Sequence, residues 1–190
     1  MPEISNMMKK ILCIGDSNTY GYDPRSYIGD RYPEGVRWTT RLIDCDVINR
    51  GLNGMKIPLR YDRYSGMIRL EKPDLITVML GTNDILSGIS AEQTCGRMNA
   101  FISHIRSEGR PVMLIAPPHL QFGEWVMNED YLDESRELAG LYQEAAEDNG
   151  CMFADSGEWD VDISFDGVHF SEEGHGRFAE KMNEILRDCF

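Results

Sequence analysis

Lys10-Ile11-Leu12-Cys13-Ile14-Gly15 runs directly into Asp16-Ser17-Asn18-Thr19. The first half is apolar nearly throughout, without the alternation of a half-exposed strand. Such a run reads as a parallel strand covered on both faces. Gly15 then breaks it, and Ser or Asn after a break is a common opening for a helix. Outward from this stretch, four further runs have the same character: Asp46–Asn49, Leu75–Leu80, Pro111–Ala116 and Met152–Asp155. Helical spacing is seen between and after them, over Val36–Ile43, Ile57–Leu70, Ala91–Glu108, Tyr131–Asn149 and Ser171–Arg187. Strands alternating with helices predict an α/β fold, a three-layer α/β/α sandwich of flavodoxin-like type with a five-stranded parallel sheet in the order 2-1-3-4-5.

Local signals agree with these limits. Ser90 stands before Ala91-Glu92-Gln93, a helix cap with Gln at the third helical position. Gly109 and Gly150 each close a helix just before a strand. Ser171-Glu172-Glu173 is a capped, acidic first turn. In an open α/β sheet, ligands bind at the carboxyl ends of the strands. Segments 15–35, 50–57, 81–90 and 117–130 are therefore expected to rim one cleft.

The 190 residues suit one domain, taken as 1–190. The formal net charge is −13. That charge offers no broad attraction to phosphate backbones or anionic membranes, so neither nucleic acid nor membrane is an expected partner. Five cysteines, an odd number without a Cys-x-x-Cys pair, argue against a disulfide framework and a zinc ribbon. Ile11 to Ile14 is too short for a signal-peptide core, and no segment reaches the length of a membrane span. A cytoplasmic location is the default expectation; whether the chain assembles as a homo-oligomer is left open.

Ser17 lies two residues past the first strand, at the top of the sheet. It reads either as a nucleophile or as a helix cap. Of four histidines, His169 is set apart by Asp166, three residues before it in a tight Asp166-Gly167 turn. That spacing lets the carboxylate orient the ring, or it marks a structural Asx-turn. His169 and His175 could form a metal pair, but no third ligand stands at a familiar spacing. Asn83 follows a buried strand and Gly81, so its amide either faces an oxyanion or closes a turn. Gly51-Leu52-Asn53-Gly54 is a glycine turn whose Gly54 N–H could be a second donor. Asp16, Tyr20, Trp38 and His119 are candidate rim residues. With Tyr22, Tyr27, Tyr32, Phe122 and Trp125 they make an aromatic-rich rim suited to sugar rings or aryl groups.

Four blocks, Gly15-Asp16-Ser17-Asn18-Thr19, Asn49-Arg50-Gly51-Leu52-Asn53-Gly54, Gly81-Thr82-Asn83-Asp84 and Asp166-Gly167-Val168-His169, together resemble the signature blocks of the SGNH (GDSL-type) hydrolases. Val36-Arg37-Trp38-Thr39, Ala116-Pro117-Pro118 and Gly167-Val168-His169-Phe170 are most similar to the bacterial arylesterase and acetyl-ester hydrolase branch. Asn18 stands where the family name expects Leu. The resemblance implies Ser17 as nucleophile, His169 as base and Asp166 as its orienting acid. It implies an oxyanion hole from the Ser17 and Gly54 N–H groups and the Asn83 side chain, with no metal and no organic cofactor. The implied substrate is a small-molecule ester with a short acyl group, of a carbohydrate or aryl alcohol. A thioesterase or lysophospholipase of the same family is the alternative, and a non-catalytic binding module on the same fold the remote one.

Overall fold

The computed structural model describes residues 8–26 and 28–190. Five parallel strands form one sheet in the order β2-β1-β3-β4-β5. They are β1 Lys9–Gly15, β2 Cys45–Gly51, β3 Leu75–Met79, β4 Val112–Ala116 and β5 Met152–Asp155. Each expected strand is present within two residues, and the predicted order is the observed one. Every residue of β3 and β4 is buried, as unalternating apolar runs require.

Helices cover both faces. They are α1 Ser17–Tyr20, α2 Asp62–Glu71, α3 Thr82–Ile85, α4 Ala91–Arg106, α5 Glu129–Asp148 and α6 Glu172–Cys189. One core layer joins the outer face of β1, β3 and β4 to α2, α4 and α5 through Leu12, Ile76, Leu114, Phe101 and Tyr142. The other gathers Ile11, Met79, Ile115, Trp38, Phe178 and Met182 beneath α6. Burying such a side chain contributes about 1.5–3 kcal/mol, so the two layers supply most of the drive to fold.

Two expected helices are corrected. Val36–Ile43 contains only a 3-10 turn at Trp38–Thr40. Its apolar spacing reflects the insertion of Trp38 into the core, where the ring lies 4.8 Å from Phe178. The helix expected from Ile57 begins at Asp62 instead. The Ile57 N–H is engaged elsewhere, donating to Asp84 Oδ2 at 3.0 Å, and Pro58 follows it.

Register levels the carboxyl ends of β2, β1 and β3. Gly15 is paired with Gly51 and with Met79. Leu52 N–H then donates to Gly15 O at 3.1 Å. The segments carrying Ser17, Gly54 and Asn83 therefore leave the sheet side by side.

Candidate active site

Asp16, rather than Ser17, caps α1. Its Oδ1 accepts from Asn18 N–H at 3.0 Å. The Ser17 hydroxyl is thereby free of capping duty, and it lies 2.9 Å from His169 Nε2. On the other side of the ring, His169 Nδ1 is 2.6 Å from Asp166 Oδ2. Asp166 Oδ1 also accepts from the backbone N–H groups of Val168 and His169, each at 2.9 Å. The Asx-turn and the orienting carboxylate, left as alternatives by the sequence, are one arrangement. Burial pushes the Asp166 carboxyl up, but the hydrogen bonds from His169 and the backbone outweigh it and hold it below the usual range. An ionised carboxylate can only accept, so Nδ1 carries the proton and Nε2 is left to accept from Ser17.

The loop bearing His169 is fixed from three directions. Asn18 Nδ2 donates to Val168 O at 3.1 Å, and Phe170 N–H donates to Asn18 Oδ1 at 3.0 Å. Trp125 N–H donates to Asp166 O at 3.0 Å and Gln121 N–H to Gly167 O at 3.0 Å. Gly123 sits so close that an added Cβ would fall 2.3 Å from the Asp166 carbonyl carbon. Glycine is required there for the two loops to meet. Aromatic rings flank the imidazole. Tyr22 lies 4.6 Å from it, and Trp125 lies 5.0 Å away in an edge-on arrangement.

Asn83 stands in the first turn of α3, and its Nδ2 donates to Met55 O at 3.1 Å. A primary amide has two N–H groups, so this bond orients the side chain and leaves one donor. Gly54, one residue before Met55, has φ 69°. Beneath, buried Asp84 accepts from Ile57 N–H and from Arg97 Nη1 at 3.0 Å each, tying the 50–57 segment to α3 and α4. The Tyr142 hydroxyl donates to Leu80 O at 3.0 Å and braces the end of β3.

The rim differs from expectation. Trp38 is 1% exposed and donates from Nε1 to Asn18 O at 3.0 Å, so it supports the site from below. Tyr32 is also buried, and Asp16 is a buried cap. Tyr20 and His119 are half-buried; Tyr27 lies outside the described residues. Tyr22 and Trp125, two of the expected rim aromatics, flank His169, whereas the bonds of Asn18 to the His169 loop had no signal within its block. His175 is apart from His169's hydrogen bonds, its Nδ1 accepting from Trp38 N–H at 3.4 Å. Among the described residues no group of three or more His, Cys, Asp or Glu side chains is arranged to hold a metal ion.

Residues 13–177 match the model of the GDSL-like lipase/acylhydrolase family. No curated protein matches the chain. Among solved structures, a carbohydrate acetylesterase family member from Sinorhizobium meliloti is 27% identical with a TM-score of 0.82, over 95% of this chain and 98% of that one. The aryl esterase of M. smegmatis superposes with a TM-score of 0.86 over 96% of this chain and all of the other; at 24% identity this is a likeness of fold.

Proposed function

The chain belongs to the GDSL-like lipase/acylhydrolase family, and from that premise we propose that it is a serine esterase that removes short, acetyl-type acyl groups from carbohydrate or aryl alcohols. The hydrogen-bonded series Ser17–His169–Asp166 carries the reading. His169 Nε2 takes the Ser17 proton as Oγ attacks the ester carbonyl carbon. The oxyanion is received by the Ser17 and Gly54 N–H groups and the remaining Asn83 N–H. The C–O bond breaks, the alcohol leaves with the proton from His169, and water attacks the acyl-serine by the same route. Asp166 stays ionised and stabilises the imidazolium. No described helix is long and apolar enough to cross a membrane, in keeping with a small dissolved substrate.

One observation favours a longer acyl chain as the second reading. Phe122, Trp125, Met127 and Phe165 are all exposed on the two loops joined beside His169. Hydrolysis of p-nitrophenyl esters from acetate to octanoate decides. A short-acyl esterase is fastest on acetate and slows with length; a thioesterase or lysophospholipase does the reverse. Ser17→Ala is expected to lose about 10⁴-fold or more in kcat, and Asn83→Ala about 10²–10³-fold. Equal rates in wild type and Ser17→Ala across the series would leave a binding module as the better account.

A further inference from the structure

Beside the edge strand β2, a pocket of about 260 Å³ is lined by Arg31, Arg37, Thr39, Thr40 and Asn49, with Val47 among its apolar members. We propose that Arg31, Arg37 and the Thr39 hydroxyl form a binding site for a small oxyanion of phosphate type, carrying two or more negative charges.

Arg37 is the first ground. Its side chain is 11% exposed, and Nε is buried with no hydrogen-bond partner among the described residues. The single described carboxylate paired with it is Glu34, 3.5 Å away on a side chain 87% exposed. An exposed pair at that distance contributes little, and a guanidinium taken out of water requires an acceptor. Nor can Arg37 easily swing away. Its stem lies against Gly21, where an added Cβ would come within 2.6 Å of Cγ and Cδ.

Arg31 faces the same space and is held in place. Nε donates to Tyr20 O at 2.7 Å, and the guanidinium lies over the Tyr20 ring, 4.3 Å from its centre. The hydrogen bonds and ion pairs of the described residues give its two Nη groups no acceptor. Burial and the neighbouring Arg37 charge lower the Arg31 pKa, with Tyr20 and the exposed Glu34 opposing. The chain has 32 acidic residues against 19 basic ones, so two arginines left with one exposed carboxylate are not for want of carboxylates.

Thr39 supplies a third donor. Asn49 Nδ2 donates to Thr39 Oγ1 at 3.0 Å and to Thr19 O at 2.7 Å. Asn49 Oδ1 accepts from Gly51 N–H at 2.9 Å. With its oxygen engaged as acceptor, the buried Thr39 hydroxyl turns its proton away from Asn49. Two planar forks and a hydroxyl suit a tetrahedral anion, which accepts from several directions at once. The volume is below that of pockets for drug-sized ligands, which selects phosphate or a small polycarboxylate over a nucleotide.

Inorganic phosphate, titrated into the full chain against chloride at matched ionic strength, is the probe. Calorimetry should give a saturable heat. The Tm should rise by about 5 °C or more once phosphate exceeds its Kd about 100-fold. Arg37→Gln should weaken phosphate at least about tenfold. Arg31→Gln, at an exposed position that tolerates replacement without unfolding, should do the same. No saturable heat would overturn the site, as would equal phosphate responses in wild type and both variants. Self-association that disappears in Arg31→Gln would also overturn it, by assigning the pocket to a carboxylate of a second copy.

Discussion

Asn18 follows Ser17, the proposed nucleophile, and its two side-chain bonds bracket His169, the proposed base. Nδ2 holds Val168 O and Oδ1 holds Phe170 N–H, both buried. In Asn18→Ala these groups lose their partners, each at a cost of about 1–3 kcal/mol. Urea unfolding should show a loss of about 2–4 kcal/mol. On an acetate ester, kcat should drop about tenfold or more with KM nearly unchanged, because the base loosens while the binding surface stays. A change confined to KM would instead place Asn18 in substrate binding. Asp16 makes a different prediction. Burial raises its carboxyl from 3.8 to about 6. The folded state therefore holds a proton that the unfolded state has released, and stability falls as pH rises from about 4 to about 6. Asp16→Asn retains an Oδ1 to cap Asn18 and carries no charge. Its stability relative to wild type should improve by about 3 kcal/mol between about pH 4 and about pH 7 in paired unfolding curves. A difference that does not move with pH would refute the buried charge.

The strands were readable because burial on both faces leaves a run such as Leu75–Met79 with no polar position to confuse its period. The helices α4 and α6 were readable for a similar reason, since Ser90 and Ser171 each accept from a first-turn N–H; α5 starts two residues before the expected Tyr131, behind an Asn128 cap that the sequence did not single out. The blocks drew attention to Ser17 and Asn83, which stand in short helices just beyond β1 and β3, and to Asp166 and His169, which stand in the turn before α6. What lay outside reach depends on pairs far apart in the chain. Asn18 meets Val168 across 150 residues, and Trp125 meets His169 through a loop with no periodicity. Val36–Ile43 misled because helical spacing and a side chain plunging into the core leave the same trace. That contact, between the 3-10 turn and α6, has its own consequence. His175 on α6 accepts from Trp38 N–H, packs between Tyr32 and Phe170 at 5.2 Å each, and has a buried, unpartnered Nε2. Burial, with Arg41, Arg37 and His169 adding to it and Asp23 opposing, lowers its pKa from 6.5 to about 3. The unfolded chain takes up a proton below 6.5 that the folded chain refuses, so this group removes about 1.4 kcal/mol per pH unit as pH falls from 6.5. Asp16 acts in the opposite sense between about 4 and about 6, so the comparison must be with a variant. Relative to wild type, His175→Phe should gain about 1.4 kcal/mol of stability per pH unit as pH falls from about 6.5 to about 4, in paired unfolding curves. A slope equal to that of wild type would mean that His175 is not held neutral.

The doubly wound sheet gathers its loops at one end, and the chain as a whole carries a net charge of −13. Nearby cations do not cancel this field at a distance: Arg97 is paired with Asp84 and Arg25 with Asp23 and Glu172, and Arg31 and Arg37 are two charges against a net −13. A substrate approaching the cleft meets the summed charge before it meets any one side chain, and the summed charge repels anions. An acetate ester with a carboxylate on its alcohol should therefore have a lower kcat/KM than its neutral isostere at low salt. Raising salt from about 0.01 M to about 1 M shortens the screening length from about 30 Å to about 3 Å. Over that range kcat/KM for the anionic ester should rise by roughly threefold or more, while the neutral ester stays nearly constant. The gain should appear in KM and in the rate of encounter, with kcat flat, since the reacting atoms are shielded from the far field once bound. A salt-independent ratio of the two esters would mean that the −13 charge is neutralised near the cleft and that selection rests on contact alone.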